Sequence, residues 1–120
     1  MASTPGASGG VSLDVLRKRA DFLRAARAVS IPGKGMILQA RERGDHGPIR
    51  IGFTCSKKVG NAVARNRAKR RLRALARETL PHYGRDGWDY VLIGRRDVTA
   101  TRDFARMRAD LVAALERLHG

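Results

Sequence analysis

A run of nine lysines and arginines without one acid, residues 57–77 (KKVGNAVARNRAKRRLRALAR), constrains this chain more than any other stretch. Gly60 and Asn61 read as a turn and a helix N-cap, and the Ala/Leu/Arg segment behind them favours helix. Placed around a helical wheel, Ala64, Ala68, Leu72, Leu75, Ala76 and Thr79 form one narrow apolar stripe. Asn66, Arg70, Arg73 and Arg77 fall opposite it, with Arg65 and Lys69 on one shoulder and Arg67 and Arg71 on the other. A solvated helix face normally mixes signs, because opposite charges four residues apart support the helix and like charges weaken it. Here Arg65, Lys69, Arg73 and Arg77 stack like on like. A helix held by one stripe and cationic everywhere else needs a polyanion beside it.

The rest of the composition points the same way. The chain has 120 residues and a formal net charge of +14, enough for one domain with a single core and a strong bias toward RNA, DNA or an anionic surface. A membrane fits poorly. No apolar run approaches the ~20 residues of a spanning helix, and the basic helix lacks the bulky apolar face of an interfacial anchor. No basic segment followed by an apolar one marks a signal peptide near the N-terminus. Cys55 is the one cysteine, which excludes an internal disulfide or a cysteine zinc cluster and suits a reducing cytoplasm.

Residues 1–11 (MASTPGASGGV) are small and uncharged and read as a disordered tail, leaving 12–120 as a single RNA-binding domain. Ser12 can cap a first helix with Asp14 in its opening turn and Leu13, Leu16, Ala20 and Leu23 as its main stripe. Phe22 then lies off the stripe's centre, where it either closes the core edge or offers a flat surface to a nucleobase. Pro32 and Gly33 break the helical pattern. Residues 35–41 alternate as a strand, with a short extra strand at 29–31 before it. Residues 49–55 form the next, with Ile49, Ile51, Phe53 and Cys55 on one face. These two main strands are expected to pair as an antiparallel hairpin, with Cys55 a small core residue. The basic helix should end near Pro81. Residues 88–94 follow as a strand whose unbroken Tyr90, Val91, Leu92 and Ile93 suit cover on both faces. Thr101 can cap a last helix carrying Phe104, Met107, Leu111, Ala114, Leu115 and Leu118 at helical spacing. The fold class expected is α+β: a single sheet of about four strands packed with three helices, in the order α-β-β-β-α-β-α. The strands flanking the basic helix can lie parallel through it, with a cleft beside it.

Catalytic chemistry is hard to find. His46, His82 and His119 are far apart, none at a metal-ligand spacing, and all three are expected in solvent. There is no Gly-rich phosphate loop, no Ser/His/Asp order and no pair of carboxylates beside an apolar wall. Asp86 and Asp89 read as surface turn residues. No catalytic residue and no metal ligand is assigned.

The stretch KKVGNAVARNRAKRRLR resembles the hallmark of the protein subunit of bacterial ribonuclease P, a helix with an Arg-Asn-Arg core followed by further basic residues. The likeness covers residues 56–73 almost without interruption and extends more weakly to Arg19-Ala20-Asp21-Phe22, Arg50-Ile51-Gly52 and Asp89-Tyr90-Val91. The resemblance implies a fold shared with a domain of ribosomal proteins, with a left-handed βαβ crossover around the basic helix where the general rule favours the right-handed one. It also implies an activity, removal of the 5′ leader from precursor tRNA, with cleavage borne by a large RNA subunit and Mg²⁺ held mainly by that RNA. By the same resemblance Arg65, Asn66, Arg67, Lys69, Arg70 and Arg73 would meet the RNA subunit. Phe22, Lys57, Lys58 and Arg95 would meet the leader in a cleft between sheet and first helix. This chain departs from the family in having Ala26 where a second aromatic is often found, and Met36, Ile37 and Gln39 where aromatics sometimes stand. Phe53 replaces a smaller aliphatic.

Two other classes compete with that reading. One is a plain RNA-binding module, such as a ribosomal protein of the same fold, which recovery in ribosomal subunits would reveal. The other, a DNA-binding helix, lacks a helix-turn-helix or dimer seam, and its cations surround the helix instead of leaving a polar reading edge.

Overall fold

The structure, a computed structural model, describes residues 13–120. The tail expected over 1–11 and the cap expected at Ser12 lie outside the described residues. In chain order the elements are β1 (Leu13–Val15), α1 (Arg19–Ala28), β2 (Val29–Pro32), β3 (Met36–Glu42), β4 (Ile49–Thr54), one 3₁₀ turn (Lys57–Val59), α2 (Ala62–Tyr83), β5 (Trp88–Gly94) and α3 (Phe104–His119). The class is α+β as expected, with five strands in the sheet in place of about four.

The sheet order is β1-β4-β5-β3-β2. The hairpin expected between residues 35–41 and 49–55 does not form: β5 lies between those strands. It pairs antiparallel with β3 from Glu42↔Trp88 to Met36↔Gly94, and parallel with β4 from Arg50↔Asp89 to Thr54↔Ile93. Tyr90, Val91 and Leu92 are all buried, so the unbroken apolar run belongs to a central strand covered on both faces. A hairpin would have left that run on an edge. β4 and β5, the strands flanking α2, are parallel neighbours as anticipated.

Two cores lie on opposite sides of this sheet. On one, Leu72, Leu75 and Leu80 of α2 and Met107, Leu111 and Leu115 of α3 pack onto Leu38, Ile49, Ile51, Tyr90 and Leu92. The smaller one, under α1, holds Leu16, Ala25 and Val91 with Phe22 and Ile93 at its margin. The stripe drawn for α2 holds at Ala68, Leu72, Leu75, Ala76 and Thr79. The helix runs on to Tyr83 with Pro81 in its last turn, beyond the expected stop. There Gly84 N–H donates to Leu80 O at 2.8 Å.

The first helix departs most from expectation. Residues 13–15 are an edge strand parallel to β4 (Leu13↔Ile49, Val15↔Ile51), and α1 starts at Arg19 without a side-chain cap. Its buried positions are Asp21 and Ala25, whereas Leu23 is exposed. The helix is rotated because Asp21 is drawn into a cluster of arginines on the sheet, a partner set that apolar periodicity does not register. The cap of α3 is Asp103, whose carboxylate accepts Arg106 N–H at 3.2 Å. Thr101, the expected cap, instead donates its hydroxyl to Asp97 O at 2.6 Å.

Asp89 is no surface turn residue: it is fully buried. Arg50 grips both its oxygens at 2.8 Å, and Arg43 Nη1 donates to Oδ1 at 2.7 Å. Arg41 approaches at 3.6 Å and also reaches toward Asp21, which Arg24 holds at 3.0 Å. Burial pushes the Asp89 carboxyl up, but the Arg50 and Arg43 hydrogen bonds outweigh it and hold it below the usual carboxylate range.

His119 is likewise packed rather than loose in solvent. Its ring meets Trp88 edge-on at 4.6 Å, and its Nε2 lies 2.6 Å from Tyr90 Oη. Arg85 N–H donates to that phenol oxygen at 2.9 Å, and in the neutral Nδ1–H tautomer of His119 the phenol donates to Nε2. Burial, then the Arg85 charge, lowers the imidazole pKa, while burial raises the Tyr90 phenol to about 12. A His whose folded pKa lies below its unfolded one stabilises the fold fully above the unfolded value of about 6.5, and that stability is lost as pH falls through it. The melting temperature should therefore drop between pH 7.5 and 5.5, and His119→Gln should flatten that dependence. Parallel pH profiles for the two proteins would refute the assignment.

Candidate nucleic-acid interface

The local sequence builds the start of α2 at the open end of the β4–β5 pair. Ser56 Oγ accepts Lys58 N–H at 3.3 Å, closing the 3₁₀ turn, and Val59 buries itself beneath it. Gly60 takes φ 145°, and an added Cβ would come within 2.9 Å of Ala64 Cβ, so glycine is required there. Asn61 Oδ1 then accepts Ala64 N–H at 2.9 Å as the N-cap, as its sequence position indicated.

From that start, Asn66, Arg67, Arg70 and Arg73 are exposed and Arg65 and Lys69 half-buried. Asn66, Lys69, Arg70 and Arg73 line one hollow of about 530 Å³, with Val63, a residue the charge pattern did not single out, exposed beside them. Arg65 leans toward the sheet, where its Nε is buried without a hydrogen-bond partner. Its charge and that of Lys69 act on the Cys55 thiol, which burial pushes up beyond what those cations reverse. Cys55 packs against the main core at the foot of the helix, consistent with a small core residue.

Among the described residues none of Arg65, Arg67, Lys69, Arg70, Arg73 and Arg77 has an acidic partner, whereas arginines elsewhere do. Asp21, Asp45, Asp89 and Asp110 are spent on Arg24, Arg43, Arg50 and Arg102, and Glu78 on Arg108. The acids that could have neutralised α2 are used to hold the fold. Arg71 is the exception on the helix. It donates to Thr99 O at 2.8 Å and to Arg102 O, with its guanidinium over the Phe104 ring at 5.7 Å, and so pins α2 to the segment leading into α3.

On the other face of the sheet, the far end of the Phe22 ring rests against β4 at Gly52. A Cβ at Gly52 would be 2.5 Å from its ring, so that glycine is what lets the phenyl approach the strand. Phe22 shares a hollow of about 350 Å³ with Arg17, Arg19 and Thr54. Lys57 and Lys58 are exposed on the 3₁₀ turn, and Arg95, half-buried, follows β5, its N–H donating to Thr99 Oγ1 at 2.6 Å. The parallel Thr54↔Ile93 register brings the ends of β4 and β5 together, so all four suggested leader residues gather at one end of the sheet. Arg17 precedes α1 and Arg19 begins it, so the hollow draws on the entry to the helix, which the charge pattern alone does not single out.

No cluster of three or more His, Cys, Asp or Glu able to hold a metal occurs among the described residues, and Asp89 has its oxygens saturated by arginine. No helix among the described residues is long and apolar enough to cross a membrane.

Known proteins share this arrangement. The sequence profile of the ribonuclease P family matches residues 12–119. The ribonuclease P protein component of Ruegeria pomeroyi is 62% identical over 115 residues, covering 94% of this chain and 90% of that protein. That of Caulobacter vibrioides is 50% identical over 101 residues, covering 83% and 67%. The RNase P protein from Thermotoga maritima superposes with a TM-score of 0.74 at 29% identity, covering 89% of this chain and 99% of that one. The Staphylococcus aureus RNase P protein shares the fold, with a TM-score of 0.72 at 24% identity and coverage of 88% and 94%. The chain belongs to the ribonuclease P protein family, the protein component of the bacterial ribonucleoprotein endoribonuclease that processes the 5′ end of tRNA.

Proposed function

We propose that this chain docks onto the ribonuclease P RNA through the free cations of α2 and holds the 5′ leader of precursor tRNA at the open end of β4 and β5. The observation behind this is the row of arginines and lysine on α2 without acidic partners among the described residues. Phosphate oxygens supply the missing counter-charge. Arg65, Arg67, Arg70 and Arg73 can pair them as forks, Lys69 as a point charge, and Asn66 can hydrogen-bond a base edge. The leader, a single strand, would track over Lys57, Lys58 and Arg95 with Phe22 as its stacking surface. Bond cleavage and the Mg²⁺ it uses belong in this reading to the RNA subunit, and the setting is the cytoplasm. DNA and membranes have no part in it.

Reconstitution tests the proposal. With the RNA subunit and a precursor tRNA at low Mg²⁺, adding the protein should raise cleavage, and trimming the leader to one nucleotide should remove most of the gain. Equal stimulation of leaderless and full-leader substrates would reject leader binding. Phe22→Ala should weaken affinity for the full-leader substrate about 5- to 150-fold, the range for one stacked base, while affinity for the RNA subunit stays unchanged. A variant that loses both equally would place Phe22 in the core rather than the site.

A further inference from the structure

The sheet face beneath α2 extends past the helix at its β1 edge, and there it forms a hollow of about 390 Å³. Leu13 and Val15 are in register with Ile49 and Ile51, so their side chains share the floor with Ile51 and Phe53. Val15 remains 51% exposed. The wall is α2, which supplies Arg73, Ala76 and Arg77. The Arg73 guanidinium sits 5.8 Å from the centre of the Phe53 ring. Among the described residues neither Arg73 nor Arg77 meets an acid in an ion pair, and residues 1–12, which lead into this edge, contain none. Asp14 stands at the opposite lip, its carboxylate already accepting Val15 N–H at 2.9 Å.

An apolar slot with an aromatic ring on its floor and two unneutralised guanidiniums on its wall complements a flat apolar body that carries an anion. In an RNA partner that body is a base and the anion its phosphate. We infer that this slot receives one unpaired nucleotide of the RNA subunit, its base against Phe53 beside Arg73 and its phosphate on Arg77. The inference rests on the reading of α2 as the RNA-binding face. It adds a stacking site on the far flank of that helix, across the sheet from Phe22.

Equilibrium binding of the full chain to the ribonuclease P RNA across a salt series separates the two terms. Stacking displaces no counterion. Phe53→Leu, which keeps an apolar filling but removes the ring, should weaken binding about tenfold at every salt concentration with the log–log slope unchanged. Arg77→Gln should weaken binding and reduce the slope magnitude by about 0.7–0.9. Wild-type affinity for Phe53→Leu at all salt concentrations would overturn the inference and leave the slot to a protein or to nothing. Failure of the wild-type chain to bind the RNA would instead overturn the docking proposal itself. A second measurement does not depend on the variant folding: NMR titration of the wild-type chain with AMP and with ribose 5-phosphate. AMP should shift the Phe53 ring resonances and ribose 5-phosphate should not. A Phe53 ring unmoved by AMP would also sink the assignment.

Discussion

Replacing Arg65, Arg67 and Arg70 together by alanine should weaken binding to the ribonuclease P RNA about 100-fold near physiological salt and leave the fold standing. The magnitude follows from counterion release. Each phosphate contact contributes a log–log slope of roughly 0.7–0.9, worth close to 1 kcal/mol at such salt, and three contacts are removed. The fold should survive because none of the three side chains takes part in an ion pair among the described residues, and alanine is the strongest helix former. Arg65 even leaves a buried Nε unpaired, so its removal breaks no internal hydrogen bond there. The check is a salt-dependent binding isotherm beside a circular-dichroism melt. A slope that stays at the wild-type value would show that these arginines do not meet phosphate, and a melt showing unfolded protein would void the interpretation. Arg71→Ala is the informative contrast. Its guanidinium is committed to Thr99 O and Arg102 O, so it should lower stability more than RNA affinity.

The second large effect lies away from α2. Asp89→Asn should cost the fold about 3–5 kcal/mol, because it leaves Arg43 and Arg50 facing a buried neutral amide where they now share a carboxylate. For a domain of this size that lowers the melting temperature by about 10–20 °C. The same carboxylate gives the fold an acid limit. Its folded pKa is depressed, so its contribution is complete above the unfolded value of about 3.9 and is lost as pH falls through the lower folded value. Denaturant unfolding of wild type and Asp89→Asn at neutral pH and below pH 4 tests both statements together. The stability gap should be wide at neutral pH and narrow in acid. A gap that does not narrow would mean that the loss comes from packing and not from charge.

Much of the interface was legible before any fold was known. Asn61 as a cap, the apolar stripe of α2 and the outward set Asn66, Arg70, Arg73 and Arg77 all follow from residue spacing along one helix, which covalent geometry fixes. The alternation of residues 35–41 and 49–55 located β3 and β4 for the same reason. The sequence went astray where the deciding contact is remote. Asp89 reads as a turn residue by its neighbours, yet its hydrogen-bond partner Arg43 is 46 positions away. Asp21 turned α1 away from its apolar pattern through that same cluster. The hairpin reading failed because β5, arriving after α2, takes the place between β3 and β4.

By itself, then, the sequence determined that this chain has a cationic helix, how that helix begins and which stripe of it faces the core. Only the tertiary structure decided which cations are left without an acidic partner among the described residues. An arginine's neighbours along the chain set its direction, but whether its charge is spent depends on acids brought to it by folding. Here folding delivers them to Arg43, Arg50, Arg102 and Arg108 and, among the described residues, none to Arg65, Arg67, Arg70, Arg73 or Arg77.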